Sequence, residues 1–259
     1  MEEKHKSLFL FFAQVFAFSL VFWGLGLVHP VELLPGLPIS ALGAFTPAFS
    51  AIILIYRKDR LPGVYDLLRR SIDFQRIKNK AWLLIVLVIN PIITFFAYLR
   101  IRAVDPSMPD PAPLTFAMLP LFVVFFLGAL GEEIGWTGYA TQPLQQRWGM
   151  VTASLFLGAI WAVWHYVPLL QAHRSWAWIA WWSLGTVSLR IIMGWLYVHT
   201  GQSVFAAALF HAMVNLCWQL FPVSGSFYDP AVFGLLTFGA AVVVLAAERR
   251  TRKSILQTA

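Results

Sequence analysis

Residues 119–140 read LPLFVVFFLGALGEEIGWTGYA, an apolar run that ends in two adjacent carboxylates, Glu132 and Glu133. No charge precedes the pair from Leu119 onward. A charged side chain inside a membrane helix costs on the order of 2.5–3.5 kcal/mol on insertion scales, so ionisable residues in such places are functional by default. Two like charges side by side add their mutual repulsion. The run is therefore both a membrane span and the carrier of a polar site.

Composition agrees with the first half of that reading. Of 259 residues, 59% are hydrophobic and 12% are charged, and the mean hydropathy is +0.70. A soluble domain carries about 25% charged and about 45–50% apolar residues. A buried core of this size does not absorb the excess, so the expected fold is all-α: a polytopic helical membrane protein. The apolar stretch after MEEKHKS is long enough to span and lacks a small-residue cleavage site, so it reads as a first span and not as a removed signal peptide. The single cysteine, Cys217, excludes an intramolecular disulfide. The net charge of +7 gathers at the ends of apolar runs, as membrane orientation requires; a nucleic-acid partner is not expected.

Eight spans are expected, at roughly 8–28, 38–56, 81–99, 114–139, 151–171, 176–199, 202–221 and 230–247. Between the second and third lies a basic segment, residues 57–80, holding Arg57, Lys58, Arg60, Arg69, Arg70, Arg76, Lys78 and Lys80. Its middle, Val64–Arg70 (VYDLLRR), has two readings: an interfacial amphipathic helix on anionic headgroups, or a solvated loop that only sets topology. Either places it in the cytoplasm by the positive-inside rule. Arg249, Arg250, Arg252 and Lys253 agree, and eight spans put both termini on that same side of what is expected to be the cell membrane. Arg100, Arg102 and Arg174 fall on the outer side and run against the rule. With no low-complexity tract, Gly/Ser linker or repeat, residues 1–259 read as a single membrane domain.

Other spans carry polar groups of complementary chemistry: His165 in WAVWHY, Arg190 in TVSLRIIMGWLY, and His211 with Asn215 one turn later. At 1.5 Å rise per residue, Glu132, His211 and Arg190 lie about 10–14 Å from the cytoplasmic ends of their spans, and His165 and Asn215 about 20 Å. Helices in a bundle bring such groups together around a water-filled cavity. Each has a plainer reading as a packing or interhelical hydrogen-bonding residue, which the acid pair resists best, since one structural ion pair needs only one acid.

A buried glutamate beside a histidine is a general base able to activate water. A His–Asn pair one turn apart can donate two hydrogen bonds to a developing oxyanion. Together these describe amide hydrolysis without a covalent intermediate. Cys217 points to a different helix face from Asn215 and reads as a core thiol. Zinc is the alternative, because Glu, His and His are its ligands, but there is no HExxH, and the expected cofactor is none.

Three short motifs carry a resemblance. Glu132-Glu133-Ile-Gly-Trp-Thr137, Trp161-Ala-Val-Trp-His165 and His211-Ala-Met-Val-Asn215 occur in that order in the fourth, fifth and seventh expected spans. Over about residues 114–221 the chain resembles the CAAX protease and bacteriocin-processing family (Abi, type II CAAX prenyl endopeptidase) of intramembrane glutamic proteases. The resemblance implies that Glu132 activates water with help from His165, that His211 and Asn215 line the oxyanion site, and that Glu133 orients the site through an ion pair. It also implies a membrane-associated peptide or protein substrate, lipidated or not: a prenylated C-terminal peptide in eukaryotic relatives, and peptide maturation, signalling or bacteriocin self-immunity in bacterial ones.

One position departs. Thr137 stands where the family carries Arg, four residues after Glu133, so Glu133 is expected to have no partner on its own helix. A buried Arg needs a carboxylate as much as the carboxylate needs it. Arg190 at similar depth is therefore expected to pair with Glu133 and to orient the site. The departure also leaves a second reading open, a non-catalytic membrane scaffold or immunity factor of the same fold. A transporter is a distant third, since no inverted halves or broken helices are evident.

Overall fold

The computed structural model describes residues 2–111, 115–116 and 118–258, with side chains over 7–111, 115–116 and 118–249. The expected start of the fourth span at residue 114, and the side chains of Arg250, Arg252 and Lys253, lie outside these. Apart from a small antiparallel hairpin, Glu32–Leu34 (β1) with Leu37–Pro38 (β2), the described chain is built of helices. These are α1 (Glu2–Val28), α2 (Thr46–Ile72), α3 (Ala81–Val104), α4 (Met118–Gly135), α5 (Gln142–Trp164), α6 (Tyr166–Gln171), α7 (Trp176–His199), α8 (Val204–Leu220) and α9 (Pro230–Thr258). A polytopic helical membrane protein is what the composition calls for, because only helices and closed barrels satisfy every backbone group within lipid.

Among the described residues, six helical stretches are long and apolar enough to cross a membrane, with Val204–Leu220 as a shorter apolar helix. The longest stretch, Met118–Gln171, has 54 residues and would be about 80 Å long if straight. It doubles back instead. Gly149 adopts φ +75°, ψ 169° inside α5, a left-handed conformation that glycine reaches without steric cost. The indole of Trp161 consequently meets Glu132 at 2.7 Å, although a continuous helix would separate them by about 43 Å. The stretch is two crossings, and with α8 the membrane elements come to eight.

Helix α4 is central, packed against α2 on one side and α8 on the other, while α7 lies between α5 and α9. Its approach to α2 depends on small residues. A Cβ on Gly135 would sit 2.5 Å from the backbone carbonyl group of Pro47, and one on Gly131 would sit 2.7 Å from the Phe45 ring. Small residues four apart let helix backbones approach in lipid, and here they flank the acid pair. Gly135→Ala is expected to destabilise the fold by about 1–3 kcal/mol through overpacking, seen as a lower thermal midpoint in detergent; an unchanged midpoint would mean that α2 yields freely.

The basic segment is more helical than a loop reading allows. Helix α2 breaks at Arg60 (φ 57°, ψ −156°), two residues before Pro62, whose ring clashes with the preceding turn and which lacks an N–H. Residues 61–72 then continue as helix, with Leu67 buried, and Asp73 caps the following turn by accepting from the Gln75 N–H at 3.1 Å. Of the cations expected to run against the orientation rule, Arg102 pairs with Asp110 at 3.2 Å, and Arg174 lies 4.8 Å from the Trp178 ring centroid.

Candidate active site

Glu132 and Glu133 occupy the last turn of α4, where the backbone changes from α to π over Trp136–Thr141. Single π turns recur at functional sites because they re-aim side chains without ending the helix. Thr141 stabilises this one by donating its hydroxyl to the Trp136 carbonyl at 2.9 Å. Adjacent residues on a helix point about 100° apart, so the two carboxylates meet different surroundings.

Glu133 is fully buried and its oxygens are saturated. Arg190, itself buried on α7, grips it with a fork: Nη1 donates to Oε2 at 2.8 Å and Nη2 to Oε1 at 3.1 Å. His211 Nδ1 on α8 meets Oε1 at 3.1 Å, and the Thr137 hydroxyl donates to Oε2 at 2.5 Å. The Glu133–Arg190 pair expected from the sequence is present. The expectation that Glu133 lacks a partner on its own helix is corrected: Thr137, at the position of the family Arg, reaches the carboxylate with a short hydroxyl one turn away. An isolated buried carboxylate would be intolerable at this depth, and three neighbouring elements supply the compensation.

Glu132 is 6% exposed and differently equipped. Trp161 Nε1 donates to its Oε2 at 2.7 Å. Among the described residues no donor reaches Oε1. One acid of the pair is held on all sides; the other keeps an oxygen free.

Trp161 is the hub of the site. Its ring centroid lies 4.2 Å from the Arg190 guanidinium carbon, a cation–π contact. The same ring makes edge contacts with His165 at 5.4 Å and His211 at 5.1 Å. His165 follows one turn later, where α5 ends, because Pro168 has no N–H to offer the carbonyl four residues earlier. A carbonyl only accepts, so His165 Nδ1, 2.8 Å from the Trp161 carbonyl, carries a hydrogen and leaves Nε2 free. The ring is walled by Trp164 and Trp182, at 4.7 and 5.2 Å. His211 is in the same tautomeric position, since its Nδ1 faces an ionised carboxylate.

Glu132, Glu133, His165, Arg190 and His211 are thus brought together around one indole. Asn215 shares the His211 face of α8, is half-buried, and makes no hydrogen bond among the described residues. Cys217 is a free, half-buried thiol turned toward Thr94 of α3. Among the described residues, no three His, Cys, Asp or Glu side chains gather as a metal's ligand set. Two participants escaped sequence reasoning. Trp161 read only as a motif aromatic, and nothing in WAVWH says that its N–H aims at an acid 29 residues away. Thr137 read as a loss, although a hydroxyl four residues after a buried acid is itself a signal of local hydrogen bonding.

Residues 113–217 match the model of the "Type II CAAX prenyl endopeptidase Rce1-like" family. Over 262 aligned residues the chain is 24% identical to the CAAX prenyl protease 2 of Methanococcus maripaludis, covering 91% of this chain and 92% of that one. The family match runs through α4 to α8, the elements that carry the acid pair, Trp161, His165, Arg190, His211 and Asn215. The chain is thus similar, from α4 to α8, to the Rce1-like type II CAAX prenyl endopeptidases and, along most of its length, to a CAAX prenyl protease; the likeness supports a protease, here built as a multi-pass helical membrane protein.

Proposed function

We propose that this protease hydrolyses its substrate with a water activated by Glu132, without a covalent intermediate and without a metal. The observation that carries the assignment is the asymmetry of the acid pair. Glu133 has every oxygen lone pair of use engaged by Arg190, His211 and Thr137, so it holds the site together. Glu132 is fixed through Oε2 by Trp161 and has Oε1 free to accept a proton from water.

The chemistry then follows from the donors. Water gives its proton to Glu132 Oε1 as its oxygen attacks the scissile carbonyl. The negative charge that develops on that carbonyl oxygen meets the Asn215 amide N–H and His211. His211 donates from Nε2 only when it carries both ring protons, because Nδ1–H is committed to Glu133. The leaving amine takes that same proton back from Glu132, while His165 assists with its Nε2 lone pair, which can accept a hydrogen bond from the water. Replacement of the family Arg by Thr137 leaves Glu133 with a guanidinium, supplied by Arg190 from another helix, which supports the enzyme over the scaffold. The substrate we propose is a membrane-associated peptide or protein with an attached lipid, met near the cytoplasmic face, with the basic segment 57–80 and both termini on that side.

The test is the protein in liposomes with matched lipidated and unlipidated peptides, with and without a chelator, read by mass spectrometry. Cleavage of the lipidated peptide that the chelator spares is the expected result; loss with chelator moves the site to metal, and cleavage only of unlipidated peptide overturns the substrate assignment. Trp161→Phe keeps the ring and deletes the donor to Glu132. A hydrogen bond to a charged group is worth about 1.5–3 kcal/mol, so kcat is expected to fall about 10- to 150-fold with KM little changed. An unchanged kcat would show that Trp161 does not position Glu132.

A further inference from the structure

The basic segment plays no part in the chemistry above, yet the structure gives it a defined shape. After the break at Arg60, residues 61–72 form a helix with two apolar faces. One face is packed: Leu67 is buried and would come within 3.0 Å of a Cβ placed on Gly138 in the π segment. The other face, Leu61, Tyr65, Leu68 and Ile72, recurs at intervals of four, three and four residues, as one side of a helix does. All four are exposed, Leu61 at 70%, Tyr65 at 69% and Ile72 at 62%.

Charge surrounds this open face with one sign. Segment 57–80 holds eight basic residues and three acidic ones, and the acids are largely used internally: Asp66 pairs with Arg70 at 2.8 Å, and Asp73 caps the next turn. Arg57, Lys58, Arg60 and Arg69 are exposed and have no acidic partner among the described residues. The segment is tethered at both ends, following the apolar part of α2 directly and leading within a few residues into α3, itself apolar enough to span. It has no freedom to leave the bilayer surface.

We propose that residues 57–74 are a docking surface for anionic phospholipid headgroups, with Leu61, Tyr65, Leu68 and Ile72 inserted at the headgroup–acyl boundary and Arg57, Lys58, Arg60 and Arg69 neutralising lipid phosphates. An exposed apolar helix face flanked by unpaired cations is the physical signature of an interfacial helix on anionic lipid. Through Leu67 against Gly138, the seated helix also braces the π segment that holds Thr137. The surface stands apart from the proposed chemistry, and its test does not require turnover.

The experiment places a nitroxide, one position at a time, at Tyr65→Cys, Leu68→Cys and Arg69→Cys in a Cys217→Ser background, in phosphatidylcholine vesicles with and without phosphatidylglycerol. With phosphatidylglycerol, labels at 65 and 68 are expected to collide more with oxygen than with a water-soluble nickel chelate, and the label at 69 the reverse. In parallel, spin-labelled phosphatidylglycerol is expected to associate with the unlabelled protein at least threefold more strongly than spin-labelled phosphatidylcholine at low salt. That preference should fall to parity in the Arg57→Gln/Lys58→Gln/Arg69→Gln variant, and with the wild type in high salt, where screening lengths shrink to about 3 Å at 1 M. The salt arm keeps the test valid if the variant fails to fold. Nickel access at 65 equal to that at 69, or a lipid preference indifferent to salt, overturns the proposal. So do labels shielded from both reagents, which would mean that a second copy or another protein covers the face.

Discussion

Glu132→Gln is expected to lower kcat for peptide cleavage by about 10²–10⁴-fold, the range that general base catalysis supplies, while leaving the fold intact. The substitution is nearly isosteric. A glutamine carbonyl still accepts the Trp161 indole N–H, which in the wild type lies 2.7 Å from Oε2, so the packing around the hub should survive. What is lost is the carboxylate oxygen of the pair that no donor among the described residues reaches. Steady-state cleavage and a thermal midpoint, measured side by side, check both halves: an active Glu132→Gln variant would remove Glu132 from the chemistry, and an unfolded one would assign it to structure. Glu133→Gln should behave differently. It leaves the buried Arg190 without its counter-charge, so it should cost stability as well as activity.

Arg190→Ala is the other large effect. It strips two of the four donors from a fully buried carboxylate and leaves Thr137 and His211 to hold it. Breaking a buried pair by removing one partner costs about 3–5 kcal/mol, a large fraction of the stability of an ordinary domain. Chemical unfolding in mixed micelles should show that loss. Arg190→Lys should recover only part of it, because an ammonium keeps the charge but cannot match both oxygens at once. Adding Glu133→Ala to Arg190→Ala should cost less than the two single losses combined, since the second change removes the orphaned charge. Thr137→Arg in the Arg190→Ala background restores a guanidinium one helical turn from Glu133 and should regain part of the stability. An Arg190→Ala protein as stable as wild type would show that the pair is dispensable.

Much of this protein is legible without coordinates. The excess of apolar residues forces a helical membrane fold, because the chemistry of lipid admits so few alternatives. The eight apolar elements follow from run length, and a carboxylate pair inside such a run declares a site because nothing bland makes its cost worthwhile. The Glu133–Arg190 pairing was also foreseeable: two isolated buried charges of opposite sign at similar depth have few other solutions.

What the linear chain does not carry is direction. Which of two adjacent acids is gripped and which stays open depends on where α7 and α8 deliver Arg190 and His211, and that is set by packing between helices distant in sequence. The indole of Trp161 reaches Glu132 only because the chain reverses at Gly149. Thr137 is a partner to Glu133 because the hydroxyl turns toward the same pocket that Arg190 enters from another helix. Hydropathy and spacing act along one chain and so fix the spans and the inventory of polar groups. The division of labour between Glu132 and Glu133 is decided where three helices meet, by which donors arrive at which oxygen.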